Sequence, residues 1–256
     1  MDGLCFRKEI LMHRFYPDPS RGGDGLEYLT KEDAHHALKV LRLHEGDRVE
    51  ILTGDGRWIA GINRIQGEAV ALRKLDPLPS TEPSLKVTLF QGLPKADKMD
   101  QIVQKATELG VSRIVPVAME RSVTRIAPAD SARKTERWQK IAREAGKQSG
   151  RCVIPVVEPP LTVSRLCAEA ALPAFNIVPW EDARDGGLLG FHAGHPDAES
   201  IGVLIGPEGG ISAGEMAELT GAGFLPVTLG KRILRTETAG PAVIAALMCL
   251  YGEMEQ

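Results

Sequence analysis

The chain has no excess of charge of either sign. Its 256 residues carry a formal net charge of −3, so no global basic field marks it as a nucleic-acid binder, and any such surface must be a local patch. No apolar run reaches the roughly 18 residues that a membrane span requires. The apolar stretch Pro241 to Tyr251 is too short and reads as a core helix. Arg7 and Lys8 are not followed by an apolar signal-like region. The cysteines (Cys5, Cys152, Cys167, Cys249) are scattered without a CxxC pair, which points to free thiols in a reducing cytoplasm. The histidines lack HExxH or zinc-knuckle spacing, and the adjacent His35 and His36 point apart, so no metal is expected. Neither GxxxxGK[ST] nor a strand-following GxGxxG is present, which excludes a P-loop and a dinucleotide-binding turn. What remains is an ordinary globular composition, 43% hydrophobic and 25% charged.

Two regions with different periods are present. Up to about residue 76 the pattern is mostly β: Val49 to Thr53 and Arg57 to Ile62 flank the hairpin signal Gly54-Asp55-Gly56, and Glu68 to Leu75 continues as a strand. One helix is predicted over Lys31 to Leu41, capped by Thr30. This is the pattern of a small barrel with one helix. Pro77, Pro79 and Pro83 then mark a linker over 77–84. From Leu85 to the end, 85–256, strands and helices alternate. Strands are predicted at Leu85–Phe90, Arg113–Ala118, Val153–Val157, Ala174–Val178, Ile201–Ile205 and Phe224–Leu229. Helices are predicted at Asp97–Leu109 with Gly110 as its stop, Ser131–Gln148, Val163–Ala171, and after the capping box at Ser212 and Glu215. Such alternation implies an α/β domain with a mostly parallel sheet, and ligands in these folds sit at the carboxyl ends of strands.

Two segments fall at such ends. Ile201 to Ile205 runs into Gly206-Pro207-Glu208-Gly209-Gly210, and Leu229-Gly230 precedes Ile233-Leu234-Arg235-Thr236-Glu237-Thr238-Ala239. Glycine-rich strand ends expose main-chain groups to a ligand. The carboxylate of Glu208 repels phosphate and suits a ligand with positive charge. On the residues alone, a cofactor site and a tight strand-to-helix corner remain equally open.

These two segments together resemble the cofactor site of the SPOUT methyltransferases, and more narrowly the 16S ribosomal RNA uridine N3-methyltransferase (RsmE) family. Gly92 to Asp100, Gln104 to Val111, Glu120-Arg121-Ser122 and Gln148 to Arg151 match that family's pattern, as do His13 to Tyr16, His36 and Val40-Leu41-Arg42. Residues before Met12 precede the family's usual start, Lys147 stands where an acidic residue is frequent, and Gly240-Pro241 falls early in the last helix. The resemblance implies a trefoil-knotted α/β methyltransferase domain at 85–256. It also implies a PUA-like β-barrel at 1–76 for RNA recognition, S-adenosylmethionine as cofactor, a homodimer, and methylation of 16S rRNA in the small ribosomal subunit. A 2′-O-ribose methyltransferase of the same fold and a non-catalytic assembly factor are the rival readings.

The resemblance places the cofactor against Val178, Gly206, Pro207, Glu208, Gly209, Leu229, Gly230, Ile233, Leu234, Thr236 and Ala239. Loss of the uridine N3 proton puts negative charge on the uracil, which a guanidinium stabilises. Arg121 is the first candidate and Arg235 the second. Glu208 and Glu237 are candidate bases, although Glu237 equally suits the first turn of a helix. Arg14, Arg42, Lys95, Lys98, Arg125, Lys147 and Arg151 are candidate phosphate contacts. His13, Phe15 and Tyr16 either stack on bases or pack into the barrel.

Overall fold

The computed structural model describes residues 12–23, 25–168, 172–184 and 186–255. The segment before Met12 and the expected end of the helix at Ala171 lie outside them. The chain forms two compact units. The first takes the residues up to Thr81 together with Lys147–Val153, and the second takes Glu82–Gly146 and Ile154 onward.

In the first unit, the elements are β1 (Arg14–Phe15), β2 (Pro17–Gly23), β3 (Leu26–Leu29), α1 (Lys31–His35), β4 (Arg48–Thr53), β5 (Gly56–Gln66) and β6 (Ala69–Leu78). The sheet order is β1-β4-β5-β6-β3-β2. All its pairings are antiparallel except that of β1 with β4. The hairpin signal at Gly54-Asp55 does join β4 to β5, with Gly56 at φ 136°. Thr30 caps α1 by accepting from the Asp33 N–H at 3.2 Å. The helix expected to reach Leu41 instead widens into a π-helical turn over His36–Val40. Phe15, Leu29, Ala34, Ala37, Ile51, Val70 and Leu72 form one buried core. Phe15 and Tyr16 are both buried, so they pack rather than stack on bases.

Two expectations are corrected in this unit. The proline-rich stretch does not begin a linker at Pro77, because β6 runs on to Leu78 with Pro77 opposite Trp58. β3 pairs β6 only around Ala71 and Leu72, so at Pro77 the far edge of β6 needs no N–H donor. The hairpin of β2 and β3 was not anticipated, since Pro-Asp-Pro-Ser-Arg-Gly-Gly has none of the residues that mark strands.

The second unit contains β7 (Lys86–Gly92), α2 (Lys98–Glu108), β8 (Arg113–Ala118), α3 (Pro128–Ser149), β9 (Val156–Val157), β10 (Leu161–Thr162), α4 (Val163–Cys167), β11 (Phe175–Pro179), α5 (Leu188–Gly194), β12 (Ser200–Ile205), α6 (Ala213–Gly221), β13 (Phe224–Val227) and α7 (Thr236–Leu250). The last residues of α3, Lys147 onward, group with the first unit. The strands lie in the order β10-β8-β7-β12-β11-β13, with β9 also on β8. Every pairing among them is parallel. A parallel sheet is buried on both faces, and β7, β12 and β11 are near-continuous apolar runs. One core joins Leu89, Val203, Ile102, Ile244 and Leu247, and a second joins Phe90, Val115, Leu204 and Phe224. Each fully buried aliphatic chain there contributes about 1.5–3 kcal/mol. The capping box of Ser212 and Glu215 starts α6 as expected.

Helix α7 packs on α2 and β12 through Val243, Ile244, Leu247 and Met248. Pro241 lies in its second turn, not its first, and removes the bond that the Glu237 carbonyl would receive from residue 241. Burial on both flanks sustains the helix across it. Helix α5 was not anticipated, because Leu-Leu-Gly-Phe-His-Ala-Gly is short and rich in glycine.

The buried carboxylate of Glu50 accepts from Arg14 Nε at 3.0 Å and Arg57 Nε at 2.8 Å. Removing it leaves two cations that still reach water, so Glu50→Leu should lower stability by about 2 kcal/mol, below the usual cost of breaking a buried pair. Urea denaturation monitored in the first unit checks this; a loss under about 0.5 kcal/mol would show the pairs to be surface-like.

Candidate active site

Because β7, β12, β11 and β13 are parallel neighbours, their carboxyl ends share one edge of the sheet. The segments 93–97, 206–212, 180–187 and 228–235 leave from that edge. The two segments singled out in the sequence therefore converge, and the loops after β7 and β8 join them.

The turn after β12 is held by close approach. A side chain on Gly92 would come within 2.7 Å of Pro207 Cδ and N, so the end of β7 must be bare for the turn to lie on it. A side chain on Gly209 would fall 2.8 Å from the Arg121 carbonyl oxygen. The Gly210 N–H closes the turn on the Pro207 carbonyl at 2.9 Å. Both Gly206 and Gly209 are thus glycines for internal packing, Gly206 facing Ile211 at 2.9 Å. Gly230 differs: it sits at φ 89° with nothing within 4 Å of where a side chain would be. Next to it Ile233 is 84% exposed, while Leu229 and Leu234 are half-buried and pack on the larger core. Val178, Pro207 and Ala239 are buried.

The charged groups form a second layer. Glu208 accepts from the Lys95 N–H at 3.2 Å and from Lys98 Nζ at 2.9 Å. Lys98 also pairs Glu237 at 3.1 Å. Lys98 opens α2 and Glu237 lies in the first turn of α7, so one ammonium joins two helix starts to the turn. Burial pushes the Glu208 carboxyl up, but Lys98 and the amides around it outweigh this and hold it below the usual carboxylate range. Glu237 is lowered first by its own amide and then by Lys98, against desolvation. Lys98 is raised by Glu208 and then Glu237. The positive charge facing Glu208 is therefore supplied by the chain itself, and both carboxylates are weakened as bases.

Arg121 is exposed and donates from Nη1 to the Gly209 carbonyl at 3.3 Å. Arg235 is the exposed N-cap residue of α7, and among the described residues its guanidinium has no partner. Arg125 donates to the Met119 and Glu120 carbonyls at 3.2 and 3.0 Å, so it shapes the Arg121 loop. Lys95 stands exposed on the loop after β7. Of the other candidate phosphate contacts, Lys98 is engaged by two carboxylates. In the first unit, Arg42 is exposed at φ 56°, whereas Arg14 is tied to Glu50 and to the Gln148 carbonyl. Lys147 is paired with Asp33 at 2.7 Å. Arg151 is buried, its carbonyl accepting from the Tyr16 hydroxyl at 2.6 Å, which corrects its reading as a surface contact.

Gln91 was missed. It is fully buried at the end of β7, and its amide donates to the Thr236 hydroxyl at 3.0 Å, which donates to the Gly206 carbonyl at 2.7 Å. A glutamine directly after Val87 to Phe90, still within the buried strand, was the available signal.

The ion pairs set a pH dependence. Carboxylates lowered in the fold stabilise it above their unfolded value and lose that contribution as pH falls through the folded value. Lys98→Met should therefore lower the unfolding temperature at neutral pH, and the difference from wild type should shrink below about pH 4.3, the free glutamate value. Thermal unfolding at stepped pH checks this; a difference independent of pH between 3 and 7 would show that the pairs do not couple to folding.

Comparison with known proteins gives these features a setting. An RNA methyltransferase domain model matches residues 81–248, and an RNA methyltransferase PUA domain model matches residues 29–75. Ribosomal RNA small subunit methyltransferase E of Bacillus subtilis is 33% identical over 86% of this chain and 88% of its own length. The protein of the same name from Synechocystis is 33% identical over 94% of this chain and 78% of its own. The crystal structure of the Neisseria gonorrhoeae ribosomal RNA small subunit methyltransferase E, bound to S-adenosyl methionine, superposes with a TM-score of 0.80 at 34% identity, covering 94% of this chain and 98% of that one. The architecture is thus an N-terminal PUA-like domain followed by a parallel-sheet methyltransferase domain of the SPOUT type. The chain belongs to the ribosomal RNA small subunit methyltransferase E family.

Proposed function

We propose that this chain transfers the methyl group of S-adenosylmethionine to N3 of a uridine in 16S rRNA of the small ribosomal subunit. The observation that carries the reading is the convergence of the 206–210 turn, the 228–235 segment and the start of α7 on one edge of a parallel sheet, in a chain of this family. The residues fit the cofactor. Gly230 is bare and open, and Ile233 presents apolar surface beside it. That combination suits an adenine ring. Val178, Gly206, Pro207, Glu208, Gly209, Leu229, Gly230, Ile233, Leu234, Thr236 and Ala239 would line or support that site. When bound, S-adenosylmethionine supplies an electrophilic methyl group.

The chain supplies position and field. Loss of the N3 proton to solvent water leaves negative charge shared over the uracil carbonyl oxygens. Arg121, exposed and tethered to the turn through Gly209, is the group assigned to that charge, and Arg235 stands at the start of α7 to assist. Glu208 and Glu237 are committed to Lys98. We read Glu208 as a buttress of the turn, in place of a base. The PUA-like unit would recognise RNA, with Arg42 exposed for phosphate. A homodimer, a trefoil knot in the methyltransferase domain and a cytoplasmic location belong to the same proposal. Among the described residues no helix is long and apolar enough to cross a membrane, and none of their His, Cys, Asp and Glu side chains cluster as a metal site.

Incubation with labelled S-adenosylmethionine and unmodified small subunits, followed by nucleoside analysis, tests the reading. The expected product is N3-methyluridine. A 2′-O-methylribose would transfer the site to ribose chemistry, and cofactor binding without any product would point to an assembly factor. Arg121→Ala should lower turnover about 100-fold, as the loss of one charge-stabilising donor does, with cofactor affinity kept. Near-normal turnover would remove Arg121 from the reaction.

A further inference from the structure

A buried polar chain beside the cofactor turn of the methyltransferase domain begins at Gln91. It is 0% exposed. Its Nε2 donates both to the Gly92 carbonyl and to Thr236 Oγ1, each at 3.0 Å. The amide orientation is set by chemistry: turned over, Oε1 would face the Gly92 carbonyl, acceptor against acceptor. As placed, Oε1 has no hydrogen-bond partner and lies 3.5 Å from where a side chain on Gly240 would begin. A buried amide with one end unsatisfied is costly, so the end that is bonded must matter.

That end is directional. The single proton of the Thr236 hydroxyl goes to the Gly206 carbonyl at 2.7 Å, which leaves the oxygen to accept from Gln91. Thr236 is the first residue of α7 and is buried, and a β-branched side chain at a helix position has few rotamers. Gly206 is followed by Pro207, which has no N–H. The peptide between them can therefore be oriented by hydrogen bonding only through its carbonyl. Fixing that carbonyl fixes the plane of the peptide and the buried Pro207 ring against bare Gly92.

We infer that Gln91 and Thr236 are positioning residues for the cofactor turn, acting as a relay from β7 through α7 to the Gly206–Pro207 peptide, and that neither side chain touches the cofactor. This rests on the cofactor assignment above and names the group that shapes the site. Thr236 takes its place in the cofactor segment through this support of the main chain.

The test compares Thr236→Val, Thr236→Ser, Gln91→Leu and the double variant Gln91→Leu/Thr236→Val. S-adenosylmethionine titration calorimetry, steady-state kinetics and thermal unfolding supply the readouts. Thr236→Val and Gln91→Leu should each raise cofactor Kd and KM about 10-fold, the scale of one lost buried hydrogen bond. At saturating cofactor kcat should stay within about 2-fold, because the loss is in binding. Thr236→Ser keeps the hydroxyl and should restore wild-type KM. The double variant removes the Gln91–Thr236 pair together, so it should recover part of the stability lost in Thr236→Val, while the Gly206 carbonyl, left without its donor, keeps KM raised. It also keeps the test open if Thr236→Val alone fails to fold. Should the double variant regain both stability and KM, the relay is structural only and the inference fails. Unchanged KM in the single variants also overturns it. A wild-type chain that binds no S-adenosylmethionine would overturn the proposed function itself, whereas binding with variants equally tight overturns the positioning role alone.

Discussion

The site depends on a steric constraint at the end of β7. Gly92 lies next to β12 in the sheet, and the chain leaving β12 turns directly over it, with Pro207 2.7 Å from the position a side chain would take. Any other residue at Gly92 lifts the turn away from the sheet. Three contacts depend on that seating. Glu208 reaches the Lys95 amide and Lys98 on the far side of the same loop. The Gly206 carbonyl meets Thr236 at the start of α7. Gly209 lies against the backbone of Arg121. The turn is therefore where three chain segments distant in sequence are brought into register.

Electrostatics then separates groups that hold the site from groups available to a substrate. Lys98 joins Glu208 and Glu237, and the three together carry one net negative charge at neutral pH. The cations facing outward in this domain's loops include Lys95, Arg121 and Arg235, from three different strand ends, together with Arg184, Lys231 and Arg232. A chain of net charge −3 can thus present a local basic surface at its site, the form of RNA recognition that its composition permits.

Much of this was legible in the sequence, and what was not has physical causes. The strands and helices of the methyltransferase domain followed from apolar period and capping, with β8 at Arg113–Ala118 and α2 between Asp97 and Leu109. Short, glycine-rich or proline-containing elements escaped, among them β2, α5 and the run of β6 through Pro77, because tertiary pairing sustains them against local preference. The strand expected over Val153 to Val157 shortens to Val156–Val157, and Lys147–Val153 groups with the first unit. Neither could be read from hydropathy. The site segments were legible as strand ends, but the roles within them were not. Glu208 read as a partner for a charged ligand until Lys98 was found beside it. Gln91 gave no motif, since its meaning lies in a hydroxyl 145 residues away in sequence.

The proposed cofactor site lies at the carboxyl edge of the parallel sheet, formed by the turn after β12, the segment after β13 and the start of α7. Amide chemical-shift mapping of the whole chain on titration with S-adenosylmethionine tests it most directly. The largest shifts are expected at Val178, Gly206, Glu208 to Gly210, Leu229 to Ile233 and Arg235 to Ala239, with the first unit little changed. Shifts concentrated in the first unit, or at the amino edge of the sheet around Lys86 and Ser200, would contradict it.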